Sequence, residues 1–467
     1  MNTWLQRLRE DVRPQLHLAL PIMGAQLSQT GMAVVDTMMT GHYDAADLAA
    51  VSVGSSLWLP VYLLIAGTLL AITPRVAHAD GAGDPGRLRG YLGSALVLAA
   101  LLGVAGAVLL LAAGALLPAL GVPMEIAGLA TRYLAGVALG FPALAIYHVF
   151  RAVSEGLQRT RAVLWVGLIA LALNIPANAL LIFGAGPVPA LGAFGCGLAT
   201  ALAFWAMALA MAAYVIASPA CAAVGRFWQG IAPAWSHARD VLVIGLPIGL
   251  AIFFEVTLFA AIAVLVAGFG ETVVAAHQIA LNYASLTFML PLGLALALTV
   301  RVGYARGRGT PELARRWAAS GMVLAVITGL LLALLMLLTA GVVVRLYTPD
   351  PAIRELAASL ILLAAVFQLS DTLQVNAGNA LRGYEDTRAI MLITLPAYWI
   401  VGLGSGVLLA HGIGPLPALG VHGFWIGLLV GLSTAAGLLG ARLRWIAHRA
   451  CGEAAAGQTA SRSVTAA

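Results

Sequence analysis

The chain has 467 residues, of which 61% are hydrophobic and 9% charged, against about 25% charged in an ordinary soluble domain. That balance excludes a water-soluble globular protein; with about 20 apolar residues needed per helical crossing of a bilayer, the length divides into about a dozen crossings. The net charge of +6 comes from 25 basic and 19 acidic residues. Every basic residue is Arg, and these lie in short segments between apolar blocks, a pattern of membrane orientation rather than of nucleic-acid binding.

Hydropathy predicts helices at 15–39, 48–73, 91–118, 130–150, 162–184, 190–217, 239–267, 275–300, 317–344, 355–379, 389–411 and 417–441. The chain is therefore expected to be an all-α polytopic membrane protein of twelve transmembrane helices in two six-helix lobes. Residues 1–14 form an N-terminal segment and the first helix is uncleaved, since its apolar block is too long for a signal peptide and has no small-residue cleavage site. The lobes are expected at 15–217 and 239–441, joined by a linker at 218–238, and 442–467 reads as a disordered tail. Twenty-two Arg fall on one set of connections and three, Arg132, Arg345 and Arg354, on the other, which places both termini in the cytoplasm. Cys196, Cys221 and Cys451 have no paired spacing, so neither a disulfide framework nor a zinc site is expected.

Internal repetition defines the architecture. Gly186-Pro187-Val188-Pro189-Ala190-Leu191-Gly192 returns as Gly414-Pro415-Leu416-Pro417-Ala418-Leu419-Gly420, 228 residues later. Leu20-Pro21 matches Leu246-Pro247, and Thr73-Pro74-Arg75-Val76 matches Thr299-Val300-Arg301-Val302, both at 226; Gly156 with Thr160-Arg161-Ala162 matches Gly383 with Thr387-Arg388-Ala389 at 227. Each copy holds an even number of crossings, so the copies are parallel, related by a pseudo-twofold axis along the membrane normal. A cavity between such lobes is the expected active region.

Most acidic residues lie in loops or at helix ends. Asp36 in the first helix, Glu255 in the seventh and Asp371 in the tenth do not, and a carboxylate at such depth costs about 2.5 to 3.5 kcal/mol on insertion scales. Such a group is either a structural carboxylate satisfied by a neighbouring helix or a proton or cation site. Gln368, Asp371 and Gln374 form a stripe at i, i+3, i+6, Gln278 and Asn282 share a face at i, i+4, and both stripes are expected to face the interior. Gln29 and Asp36 are seven residues apart on one face of the first helix. Asn174 and Asn178 flank Pro176 on the fifth; with Asp36 they make an oxygen-rich pocket suited to a hard cation or proton network, or else glue helices together. The acids do not repeat: Asp36 corresponds to Ile262, Glu255 to Gln29 and Asp371 to Leu144.

Pro21 and Pro247 occupy matching positions in the first helix of each lobe, as hinges or as prolines merely tolerated there. Met38, Phe253, Phe259, Phe288 and Phe367 cluster in sequence around the acids and suit flat organic cations in a substrate cavity, or ordinary helix packing. No His-Glu-x-x-His pair, Gly-x-Ser-x-Gly elbow or phosphate-cradling Gly-x-x-x-x-Gly-Lys loop is present, so no enzyme, no organic cofactor and no ATP-driven pump is expected; an ion gradient remains as the energy source.

Val35-Asp36-Thr37-Met38-Met39-Thr40-Gly41-His42-Tyr43, Ala45-Ala46-Asp47-Leu48-Ala49-Ala50-Val51, Leu191-Gly192-Ala193-Phe194-Gly195-Cys196-Gly197-Leu198-Ala199-Thr200 and Ala275-Ala276-His277-Gln278-Ile279-Ala280 resemble the multidrug and toxic compound extrusion (MATE) family in its NorM-type branch. The resemblance covers nearly the whole chain except the tail. It implies a multidrug efflux antiporter of the bacterial inner membrane that alternates between inward- and outward-open states, exchanging a small-molecule organic cation (a drug or dye) for Na+ or H+. It further implies a second-lobe cation site at Glu255 and Asp371 and a first-lobe site at Asp36 with Asn174 and Asn178, either able to take Na+. Relatives often carry Tyr where this chain has Phe367, which removes one possible oxygen ligand. The expected partners are organic cations and the lipid bilayer, with no nucleic acid, and the expected state is a monomer. A lipid-linked saccharide flippase of the same superfamily is the alternative, disfavoured because the three intramembrane charges are acidic.

Overall fold

Lipid offers no water to backbone N–H and C=O groups, so apolar blocks of this length must close their hydrogen bonds within themselves. The computed structural model describes residues 2–224, 235–413 and 417–465. Its helices are α1 (Asn2–Tyr43), α2 (Ala45–Leu69), α3 (Ile72–Gly81), α4 (Pro85–Leu116), α5 (Met124–Ala138), α6 (Phe141–Gly156), α7 (Thr160–Phe183) and α8 (Gly192–Ala217), then α9 (Trp235–Ala267), α10 (Glu271–Gly307), α11 (Pro311–Tyr347), α12 (Pro351–Gly383), α13 (Thr387–Pro396), α14 (Gly404–His411) and α15 (Val421–Thr465). Among the described residues the chain is helical throughout, with no strand beyond an isolated bridge between Ala185 and Val188. Among the described residues eleven helices or helix runs are long and apolar enough to cross a membrane, and twelve when α5 and α6, bent by 42°, count as one crossing. This is the expected all-α polytopic architecture.

Several helices run past their hydropathy boundaries. Ends expected at 150, 300 and 379 lie instead at Gly156, Gly307 and Gly383. The added turns carry Arg151, Arg301 and Arg382, which lower local hydropathy without stopping the helix, because Arg151 and Arg301 are buried within the protein and Arg382 is half-buried. The segment from 442 onward continues α15 to Thr465 rather than forming an irregular tail, and Ala454, Ala455 and Ala456 favour propagation. The expected joining segment at 218–238 falls partly on 225–234, and the repeated Gly414-Pro415-Leu416 falls wholly, outside the described residues.

Backbone geometry repeats with the sequence. The positive-φ positions Gly83 and Gly309 (66° and 72°), Gln158 and Glu385 (61° and 64°), Gly184 and Gly412 (75° and 66°), and Gly192 and Gly420 (55° and 57°) pair at spacings of 226 to 228. Gln158 and Glu385 are the costly members, since a residue with a Cβ pays about 1 to 3 kcal/mol in this region. Each follows a helix ending in glycine, and the same turn is made twice.

The chain divides into two compact units, Leu20–Ile252, and Met1–Ala19 with Phe253–Ala467. Both cuts pass through a helix: the first part of α1 packs in the unit that holds α10 to α15, and the first part of α9 packs in the unit that holds α2 to α8. Pro21 and Pro247, expected as hinges, stand beside these crossings.

In the unit containing α15, Gly423, Gly427 and Gly431 recur every four residues and face Ala410, Gly406 and Gly402. A Cβ on Gly427 would lie 2.4 Å from Gly406 Cα and 2.5 Å from the Gly402 carbonyl oxygen. Small residues at this spacing let two helix backbones meet, which drives association where lipid and side chain are equally apolar. Gly427→Val should therefore cost about 1 to 3 kcal/mol as overpacking, read as a lowered unfolding temperature in detergent, while Gly437→Ala, where a Cβ meets nothing within 4 Å, should leave it unchanged.

Candidate functional site

Each unit holds one acidic centre built from several helices. In the first, Asp36 on α1 is buried and accepts three side-chain hydrogen bonds. Asn174 Nδ2 donates to Oδ1 at 3.1 Å, Asn178 Nδ2 to the same oxygen at 2.6 Å, and the Thr200 hydroxyl of α8 to Oδ2 at 2.9 Å. Asn178 also donates to Asn174 Oδ1 at 3.0 Å. The i, i+4 spacing on α7 presents both amides to one carboxylate, with Pro176 inside the helix between them. Asn178 Oδ1 is buried without a hydrogen-bond partner, leaving an unsatisfied neutral oxygen beside the acid. Asp36, Asn174 and Asn178 thus come together. Thr200 is the member that sequence reasoning missed: a lone hydroxyl in an apolar helix carries no pattern.

Two loop motifs meet nearby. Asp47 on α2 accepts from the backbone N–H of Ala193 at 2.5 Å, fixing the start of α8, where Gly192 adopts a φ of 55°.

Gln29 does not join Asp36. Its amide donates to the Tyr147 hydroxyl of α6 at 3.4 Å, while Gly24 and Gly31 of the same helix face Leu164 and Leu171 of α7. Met38 is 58% exposed and takes no part in the centre. Around Tyr147 lies a second polar cluster. Arg151 Nε donates to Glu155 Oε1 at 2.7 Å, and Arg151 Nη2 to Gln26 Oε1 at 2.8 Å. The ion-paired side chains are only 6% and 1% exposed, although hydropathy puts both residues in a connecting loop. A stronger signal was available: Arg151 and Glu155 are i, i+4 on an otherwise apolar stretch.

In the other unit, Asp371 on α12 is buried and Glu255 on α9 is half-buried. The two carboxylates lie within Coulombic range of each other, and Arg382 lies within range of Glu255 while donating to Asn379 Oδ1 at 3.1 Å. Gln368 and Gln374 flank Asp371 and are buried. Gln368 accepts from the Thr287 hydroxyl at 3.4 Å, and Gln374 donates to the Tyr398 hydroxyl.

Tyr398 reaches this position from a π-helical stretch, Ala397–Leu403, that interrupts the eleventh crossing directly after Pro396. Proline has no N–H for the preceding turn, and the backbone re-registers. The next residue, Trp399, donates from its indole to the Phe254 carbonyl at 3.0 Å, tying the same stretch to the helix turn before Glu255. Arg382, Tyr398 and Trp399 escape sequence reasoning because they enter the centre through tertiary packing alone.

The other predicted residues divide. Phe367 is buried and packs edge-on against Phe259 and Trp425, at 6.4 and 6.1 Å between ring centroids. Phe253 meets Phe254 at 5.9 Å, and Phe288 is half-buried. Gln278 and Asn282 bond to one another at 2.9 Å but are exposed. Their mutual hydrogen bond satisfies one donor and one acceptor without any third helix. Among the described residues no group of three or more His, Cys, Asp and Glu is placed to hold a metal ion.

This fold has counterparts among known proteins. The MatE family model matches residues 21–180 and 247–408, once in each sequence repeat. The chain is 43% identical over 431 residues to a protein of Shewanella oneidensis described as "Probable multidrug resistance protein NorM", covering 92% of this chain and 94% of that one. It is 45% identical over 444 residues to "Multidrug resistance protein PmpM" of Pseudomonas aeruginosa, covering 95% and 93%. A solved structure described as the outward-facing conformation of a multidrug resistance MATE family transporter of the MOP superfamily superposes with a TM-score of 0.86 at 21% identity, over 96% of this chain and 98% of that one. That likeness is one of fold, the two-lobe fold of twelve helices. With a family model covering most of the chain and relatives above 40% identity over nearly its full length, this multi-pass membrane protein belongs to the MatE family, the MATE transporters, and is a transport protein rather than an enzyme.

Proposed function

We propose that this protein is a multidrug efflux transporter that exports organic cations in exchange for Na+ or H+ by alternating access, from a bacterial inner membrane with both termini cytoplasmic. The observation that carries the reading is the burial of Asp371 within Coulombic range of Glu255. Two carboxylates in range of each other among apolar helices repel, Arg382 offsets the charge of Glu255 and not that of Asp371, and a site of that kind accepts a coupling ion or a cationic drug in turn. The hydroxyl of Tyr398 and the amides of Gln368 and Gln374 supply neutral oxygens of the type a hard cation uses, in the neighbourhood where Phe367 offers none. Asp36 with the unsatisfied Asn178 Oδ1 forms a second candidate site of the same chemistry. Each ligand shifts the balance of states only by its difference in affinity between them. The names of the NorM and PmpM relatives favour drug efflux over flipping of a lipid-linked saccharide.

The test is purified protein in liposomes, with export of an ethidium-like dye followed while a Na+ gradient and a pH gradient are imposed separately. Dye movement driven by either gradient supports the exchange and names the ion; movement with neither overturns it.

A further inference from the structure

The exchanged ends of α1 and α9 are held by matching devices built on different residues. In the unit containing α10 and α11, Asp11 on the first part of α1 is buried at 3% exposure. Arg316 Nη2 donates to its Oδ1 at 2.8 Å, and the Trp317 indole donates to the same oxygen at 3.1 Å. Arg301 Nη1 donates to the Asp11 carbonyl at 2.5 Å, and its guanidinium lies over the Trp317 ring, 4.2 Å from the centroid.

In the other unit the residues 226 positions earlier or later take the same places. Arg75 stands for Arg301, Tyr91 for Trp317, and His237 on α9 for Asp11. Arg75 lies over the Tyr91 ring at 5.7 Å, and the His237 ring meets Tyr91 edge-on at 4.9 Å. Gly90 stands where the second copy has Arg316, and a Cβ there would come within 3.0 Å of the His237 ring. The duplication has therefore kept the stacked Arg and aromatic pair in both units. Only the Asp11 copy adds a carboxylate and an extra arginine to receive it.

We propose that Asp11 is a positioning residue of the transport cycle. It clamps the first part of α1 onto α10 and α11, and release of this clamp is required for the conformational change. α1 and α9 each have ends in different units, so any change in the arrangement of the units must bend them or free an exchanged end. Pro21 and Pro247 offer the bends, and the hydrogen bonds of Asp11 oppose freeing α1. The inference rests on the alternating-access reading.

The deciding measurement, a labelling rate, is made without drug or gradient, so that it stands or falls separately from the exchange mechanism. Gln15, one turn after Asp11, is fully buried. In a chain whose three native cysteines are replaced by Ser, Gln15→Cys is labelled by a membrane-impermeant maleimide. Asp11→Asn should raise the labelling rate about fivefold or more with little change in unfolding temperature, Asp11→Glu should restore it towards the parent, and in liposomes Asp11→Asn should alter the maximal dye flux more than the dye concentration for half-maximal flux. A labelling rate unchanged by Asp11→Asn overturns the proposal. So does a rise accompanied by a matching drop in unfolding temperature, which would make Asp11 a structural residue only. Should Gln15→Cys fail to fold, protection of the α1 backbone amides from hydrogen exchange replaces labelling, with the same two outcomes.

Discussion

Glu255→Gln and Asp371→Asn are each expected to stop gradient-driven export, lowering dye flux in liposomes about tenfold or more, the scale of a coupling free energy of about 1 to 3 kcal/mol. Both substitutions keep the size of the side chain and remove its charge, exchanging one acceptor oxygen for an NH2 donor. The repulsion between the two carboxylates is what a cation relieves, so a single neutral amide abolishes the need for one. The half-buried Glu255 and the buried Asp371 lose no packing, and insertion and unfolding temperature should be retained. Binding of dye to the detergent-solubilised protein should become insensitive to the coupling ion. Unchanged export by both variants would remove this centre from the mechanism and leave Asp36 to carry it.

A larger effect on stability is expected at Arg151 and Glu155. Their side chains are 6% and 1% exposed and paired at 2.7 Å. Arg151→Met leaves the Glu155 carboxylate buried and uncompensated and strips Gln26 of its donor; breaking such a pair costs about 3 to 5 kcal/mol. Removing both charges together, as Arg151→Met with Glu155→Leu, should recover most of that loss, because apolar side chains of similar volume often replace a buried pair at little cost. Unfolding in detergent followed by intrinsic Trp fluorescence reads both variants. If the double variant is as unstable as Arg151→Met alone, the cluster contributes through the Gln26 bond and the packing of the Arg stem, not through the pair.

Much of the molecule was legible because a bilayer leaves few choices. Crossings announce themselves as apolar runs, and a duplicated sequence folds to a duplicated backbone, down to the left-handed turns at Gln158 and Glu385. The Asp36, Asn174 and Asn178 grouping was legible for a similar reason: an acid in an apolar block needs donors, and two amides at i, i+4 provide them. Where a helix continues past its apolar window, the same logic fails. Hydropathy assigned Arg151 and Arg382 to loops, since it assumes that a charge marks water, and a charge paired within the protein breaks that assumption.

Local spacing could say which residues share a helix face but not what that face meets. Gln29 and Asp36 lie on one side of α1 yet reach different helices, and Gln278 and Asn282 satisfy each other in exposed positions. Composition and periodicity determined the helical class, the number of crossings, the repeat and the presence of acids where apolar side chains prevail. The tertiary structure alone decided that Thr200 completes the Asp36 centre, that the π-helical stretch after Pro396 brings Tyr398 to Gln374, and that the first part of α1 is clamped by Arg316 and Trp317. These contacts join residues distant in sequence, and their energy depends on packing and burial that no single helix contains.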